Sequence, residues 1–529
     1  MLKKINLSQV VALFKNVTSE RHLDMMRSFF MGKWYPIWVA FSVLVGRFTC
    51  KEAYFAMIDF TLVAIALLVC KSLRPVLPNL ITFLYRVPLE HGPGTPYYSD
   101  YYSTEPVIIV VAIFAALFVA SLVYFYIRNK SFAGVNFLKL PMFIPLALLS
   151  LSFFTAGLFS GNVSKYDLGF SALQVLVFFL VYFILYFGLR SEDMEELTDY
   201  FVYISAMCAV VLSVEVFALY AKSFGDVSIG SYLKSGVLFG WGISNTCGNV
   251  LSVLPPLCLL GVMRSKKLYQ AIIYYAIALL ALLATVLTFS RSSMLVGAVC
   301  FAVAMIVSAF AGKQKWLCRL AVLGAAVVAL VGFLVFKDKA MALIDKIFAN
   351  GFNDNGRYRI WKVAISHFKD NPWFGNGHFS LNVGIQNSLF TPRLAHNTII
   401  QILTAMGIFG MASYVFYRVA TFFPFFKRFT STKFMLLISC AILVGESLLD
   451  NFIFWFNPLF VYNICIVLAV MHCEQTKAKA DAAKDTSVAS DEDAEDDDSA
   501  HAEGVTEIPT EGIVCDSPIN DSPISTITV

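Results

Sequence analysis

In "NPWFGNGHFSLNVGIQNSLFTPRLAHNTII", from Asn371 to Ile400, two histidines and an arginine sit among glycines and asparagines, directly before a long apolar run. Histidine takes up a proton near neutral pH. Arginine offers paired donors to phosphate oxygens. Together they have the chemistry to deprotonate a hydroxyl while an anionic group is held in place. His396 and Asn397 close the stretch, at the mouth of the next apolar segment.

Other candidates lie at membrane depth. Arg291 ends an apolar run in "ATVLTFSRSSMLVGAV". An arginine between two membrane segments is costly unless paired or wet, which marks a functional candidate; the alternative is a snorkelling side chain at the interface. Glu446 and Asp450, in "LVGESLLDNFIFWF", fall at i and i+4 on one helix face. They can anchor an arginine, or one can act as a base; the alternative is a polar helix end. Asn245 and Asn249 stand at the mouth of another span, before an expected break at Pro255-Pro256. Glu215 and Asp59 are also intramembrane and have no assigned role. No metal is implied near these residues: they show neither carboxylate pairs at metal spacing nor a His-rich cluster. No cofactor is expected.

The elements that must position these residues are membrane helices. The chain of 529 residues is 58% hydrophobic and 14% charged, with mean hydropathy +0.70, where a soluble domain is about a quarter charged. Apolar runs near 35–50, 53–70, 106–127, 137–158, 169–189, 201–220, 247–263, 268–289, 294–312, 320–336, 398–424, 434–449 and 452–473, with a shorter one at 76–88, predict an all-α polytopic membrane protein of about 12–14 transmembrane helices. No repeat of paired broken helices, the mark of many transporters, is visible. The cysteines are scattered in apolar runs and read as fillers.

Charge divides the chain. Residues 474–529 carry 15 acids and 3 bases, a net −12, and the remainder is +16. The sequence predicts a basic cytoplasmic N-terminal segment (1–33), a membrane domain (34–473) and a disordered acidic cytoplasmic tail (474–529). Basic short loops at 71–74, 128–130, 264–267, 313–319 and 427–433 are expected inside. Arg291 and the long connection 337–397 then fall outside.

That connection holds eight Lys/Arg against four Asp, a balance suited to an anionic ligand. Within it, Arg357, Trp361, Ala364 and Phe368 recur at helical spacing, and Pro372 ends the helix. Gly375 and Gly377 allow a tight turn or close approach to a ligand. Taken singly, each residue also fits a small helical cap with polar groups facing water.

The order of these elements resembles the O-antigen ligase and polymerase superfamily. The resemblance rests on Ser290-Arg291-Ser292, on R-x-x-x-W (Arg357 to Trp361), on P-x-x-G-x-G (Pro372 to Gly377), on His396-Asn397 and on "MGIFG" (Met406 to Gly410), over roughly residues 235–425. It implies a GT-C-like, metal-independent, inverting glycosyltransferase of the cytoplasmic membrane. Such an enzyme takes a glycan from undecaprenyl diphosphate at the outer face and passes it to a lipid or glycan acceptor. It implies no nucleic acid. By that resemblance Arg291 holds the diphosphate and His396 orients or deprotonates the acceptor. Arg357, Arg359 and Arg393 would bind the donor, with Trp361, Asn397, Glu446 and Asp450 completing the site. The family's earlier external arginine has no counterpart here; residues 221–246 offer only Lys222 and Lys234. The Tyr-rich loop from Leu89 to Pro106 and the acidic tail are further departures. A polymerase of the same superfamily and a flippase for lipid-linked sugars are the alternatives.

Overall fold

The computed structural model describes residues 20–79, 105–223, 238–327, 357–382 and 395–498, apart from isolated positions within these stretches. Arg393, most of the 76–88 run, part of the 320–336 run and most of the Tyr-rich loop lie outside the described residues.

The protein is all-α and polytopic. Its described helices are α1 (Glu20–Met31), α2 (Trp34–Phe48), α3 (Glu52–Val69), α4 (Glu105–Arg128), α5 (Phe143–Phe154), α6 (Lys165–Leu189), α7 (Met194–Ser223), α8 (Ser244–Arg264), α9 (Leu268–Leu287), α10 (Arg291–Phe310), α11 (Arg357–Asp370), α12 (Thr398–Phe426), α13 (Ser431–Leu449) and α14 (Phe456–Asp498). A two-residue antiparallel pair, Leu238–Phe239 with Gly242–Ile243, precedes α8. Among the described residues, eight helices are long and apolar enough to cross a membrane, and α1 with α2 forms a ninth candidate bent by 63°. Three shorter apolar helices add to these.

The run expected as one span at 137–158 is shorter. Met142 takes a left-handed backbone before α5, and Gly157 turns the chain after it, its N–H donating to the Phe374 carbonyl (2.7 Å). α8 runs unbroken through Pro255 and Pro256, against the expected break. Every residue of its apolar stretch is buried among other helices, and Ser439 of α13 donates to its Val253 carbonyl (3.3 Å). Neighbouring helices of this kind make proline tolerable inside a span.

The chain forms two compact units, residues 1–474 and 475–529. In the second, α14 continues through the Ala- and Lys-rich start of the tail as far as Asp498, where the acidic composition alone predicts disorder. Alanine and lysine favour helix.

The intramembrane charges left unassigned are internal to the first unit. Glu215 of α7 pairs with Arg47 of α2 at 2.6 Å, both fully buried, and Asp59 accepts from Ser42 (3.2 Å). Arg418 of α12 is buried against the rings of Tyr414, Tyr417 and Tyr462, where cation–π attraction offsets lost hydration.

Candidate active site

Helices α8, α10 and α12 begin, and α9 and α13 end, at one end of the bundle. The polar candidates gather there. The basic loops at 264–267, 313–319 and 427–430 occupy the opposite helix ends.

α13 organises the site. Its last carbonyls have no intrahelical partner, and two of the predicted residues supply one: Asn397 Nδ2 donates to Leu448 O (2.9 Å) and Arg357 Nη1 to Leu449 O (2.7 Å). The negative end of the helix dipole favours such donors. Asp450 follows as the C-cap residue. Its Oδ1 accepts from His396 Nδ1 (2.9 Å) and from the Asn451 N–H (2.9 Å), and Asn245 of α8 reaches Oδ2 (3.4 Å). Burial works to raise the Asp450 pKa. The hydrogen bond and charge of His396, the Asn451 N–H and the Arg357 charge outweigh it and hold the carboxyl below its usual range.

His396 is built in from several sides. It has φ of +52°, a left-handed conformation uncommon for a residue with a side chain. The backbone before it is held by Trp361, whose Nε1 donates to Ala395 O (2.7 Å), and by Gln401, which accepts from the Ala395 N–H (2.7 Å). The residue after it, Asn397, caps α12 by accepting from Ile400 N (3.1 Å). Trp361 and Asn397, expected as substrate-binding groups, are thus engaged in holding His396. The Asp450 carboxylate fixes the proton on Nδ1, which leaves the Nε2 lone pair available as a base. The imidazole is half-exposed.

α11 forms as its periodicity predicts. Ala364 is its buried anchor, packed with Leu381 and Ala395. Arg357 faces α13, whereas Arg359 is exposed, about 200° around the helix, and is not brought to His396 or Asp450. The Pro372–Gly377 turn packs its backbone against α12. Ile408 N donates to Pro372 O (2.8 Å), Phe409 N to Trp373 O (3.1 Å), Asn376 N to Thr404 O (2.9 Å) and Gly377 N to Ala405 O (3.0 Å). This loop plugs a kink in α12 at Gly407, where φ is +65°. A Cβ at Gly375 would lie 2.4 Å from the Ala405 carbonyl carbon, and one at Gly407 2.5 Å from that of Trp373. Glycine is required on both sides of the contact.

Arg291 is the first residue of α10 and is exposed. Its neighbours Ser290 and Ser293 are fully buried. Glu446, one turn before Asp450, is also fully buried; it accepts from Ser252 Oγ of α8 (2.6 Å) and Ser293 Oγ (2.7 Å). It is not placed to touch a substrate. Ser252 and Ser293 are not singled out by the sequence motifs, although Asn245, Asn249 and Ser252 at i, i+4 and i+7 mark one polar face of α8 against the Glu446–Asp450 face of α13.

No curated protein matches the chain. The profile of the O-antigen ligase family matches residues 275–415, a segment running from α9 through Arg291, α11 and His396 into α12. Asp450 and Glu446 lie beyond it. The match supports, for this multi-pass membrane protein, the O-antigen ligase and polymerase superfamily, which indicates a glycosyltransferase-like enzyme in general.

Proposed function

We propose that the protein transfers a glycan from an undecaprenyl-diphosphate donor to an acceptor hydroxyl at the outer face of the cytoplasmic membrane, as an O-antigen ligase-like enzyme with both termini inside. The observation that carries this reading is the His396–Asp450 pair, clustered with Arg357 at the end of α13.

In the reaction, the acceptor hydroxyl attacks the anomeric carbon as its bond to the diphosphate oxygen breaks. The attack comes from the face opposite the leaving group and inverts the configuration. The hydroxyl proton goes to His396 Nε2, and Asp450 stabilises the imidazolium that forms. The bond electrons leave on the lipid diphosphate. Arg291 stands at the N-terminus of α10, so the guanidinium and the positive end of the helix dipole act together on the developing negative charge. Arg357 adds positive charge beside the pair. Cationic side chains in these positions support a transfer in which arginine rather than a metal ion neutralises the leaving diphosphate.

The experiment is to resolve undecaprenyl-linked glycans by chain length and leaflet in cells lacking the protein, complemented with wild type, Arg291→Ala or His396→Ala. Long chains accumulating on the outer leaflet, relieved by wild type alone, are the expected result for a ligase. Single repeat units there would identify a polymerase. Retention on the inner leaflet would replace the enzyme reading with a flippase.

A further inference from the structure

We infer that Glu446 is a positioning residue that grips the Ser290–Ser293 turn and so aims Arg291 at the leaving diphosphate, a role that rests on the function proposed above. A carboxylate that touches substrate must be reachable, and Glu446 is fully enclosed. Both of its oxygens are in use, one on Ser252 of α8 and one on Ser293 of α10. A buried carboxylate without such partners would be strongly unfavourable, so the two hydroxyls and the acid require one another.

From Ser293 the network continues around the turn. Ser293 Oγ lies 2.9 Å from Ser290 Oγ, and the Ser290 N–H donates to Thr288 Oγ1 (3.3 Å). The other side of the turn is pressed by Gly248 of α8. A Cβ there would meet Thr288 Oγ1 at 2.7 Å, Ser290 Cβ at 2.9 Å and Ser293 Oγ at 2.9 Å. The backbone that carries Arg291 is thus clamped between α8 and α13 while its side chain is exposed. A long side chain on a fixed base explores less space, so its guanidinium meets an anion with less ordering cost.

The same helix end holds the base. Glu446 fixes the turn of Arg291 and Asp450 fixes His396; Glu446 lies in the last turn of α13 and Asp450 is its C-cap residue, four positions on, a helical rise of about 6 Å. The turn that carries Arg291 and the residue proposed as the base are therefore tied to positions one helical turn apart.

The test measures binding of undecaprenyl diphosphate to the full-length protein in lipid nanodiscs, with thermal melting of the same samples. Wild type should bind, and Arg291→Ala should bind about 10- to 100-fold more weakly. If wild type fails to bind, or Arg291→Ala binds equally well, the functional reading fails and this inference with it. Given those two, Glu446→Leu should bind about as weakly as Arg291→Ala, and the double variant should be little worse than either. Glu446→Gln should bind within about threefold of wild type, because a serine hydroxyl can donate or accept and both links survive. Should Glu446→Leu not fold, Ser293→Ala cuts the link to the turn alone and should show the same non-additivity. Wild-type binding by Glu446→Leu or Ser293→Ala, or losses that simply add to that of Arg291→Ala, would overturn the inference and leave the functional reading standing.

Discussion

His378 and His396 belong to the same connection between spans, yet the fold gives them opposite environments. His378 is buried, its Nε2 donating to the Phe153 carbonyl (3.1 Å) and its ring lying against Phe153 and Phe170. Burial lowers its pKa, and the Phe153 carbonyl and Asp167 only partly oppose this. It is a neutral packing residue. His396 is half-exposed and meets a carboxylate instead of a carbonyl. A carbonyl can accept the imidazole proton but cannot balance a second one; a carboxylate does both. Under the proposed function the partner, rather than residue type or loop membership, sets the two histidines apart, since only His396 has a carboxylate on its Nδ1.

The sharpest way to break this comparison is to truncate each histidine. His396→Ala should lower glycan transfer per folded molecule in reconstituted vesicles by about 10²- to 10⁴-fold, with only a small fall in melting temperature from the lost partner of Asp450. His378→Ala should do the reverse, lowering the melting temperature while each folded molecule keeps most of its turnover. Loss of turnover in His378→Ala at unchanged melting would reverse the two roles.

Asp450→Asn sharpens the comparison by converting the partner of His396 into a neutral acceptor. Transfer should fall by about 100-fold, less than for loss of the imidazole. The pH dependence of melting should change as well. Because the folded pKa of Asp450 is depressed, its contribution to stability is fully present above about pH 4, the unfolded value, and is lost as pH falls through the lower folded value. Melting curves of Asp450→Asn should lack this acid-side component. His378 acts in the same direction at higher pH. Its folded pKa lies below the ordinary value of about 6.5, so stability should decline as pH drops below that value. His378→Gln, which can still donate to Phe153, should flatten the decline.

The Pro372–Gly377 turn belongs on the His378 side of the comparison. Gly407→Ala should cost about 1–3 kcal/mol of stability, read from denaturant or thermal unfolding, because it combines a left-handed backbone with a backbone clash. The smallest effect is expected at Arg359. Arg359→Ala should change transfer by less than about twofold, since surface changes away from partners matter little. A large loss there would enlarge the site to the exposed face of α11.

Much of this was legible in the sequence. The spans follow from apolar length, α11 from its periodicity, and the i, i+4 pair of Glu446 and Asp450 from simple spacing. His396, Arg357, Asn397 and Asp450 meet at the end of α13, as ionisable groups at membrane depth are too costly to be placed without a partner. Their individual tasks were not legible. Nothing local to Trp361 or Asn397 says that their donors are used by the Ala395 and Leu448 carbonyls. Nothing local to Gly375 says that it meets a kinked helix rather than a ligand.

The sequence by itself determined that this chain is a bundle of membrane helices with one basic, histidine-bearing connection, since hydropathy and charge pattern are properties of the chain alone. Only the tertiary structure decided that Asp450 faces His396, that Glu446 is enclosed by serines of two other helices, and that Arg359 stands apart from Arg357. Those outcomes depend on which helix ends meet and on the unpaired carbonyls and hydroxyls found there, contacts between residues up to 194 positions apart that no local spacing encodes.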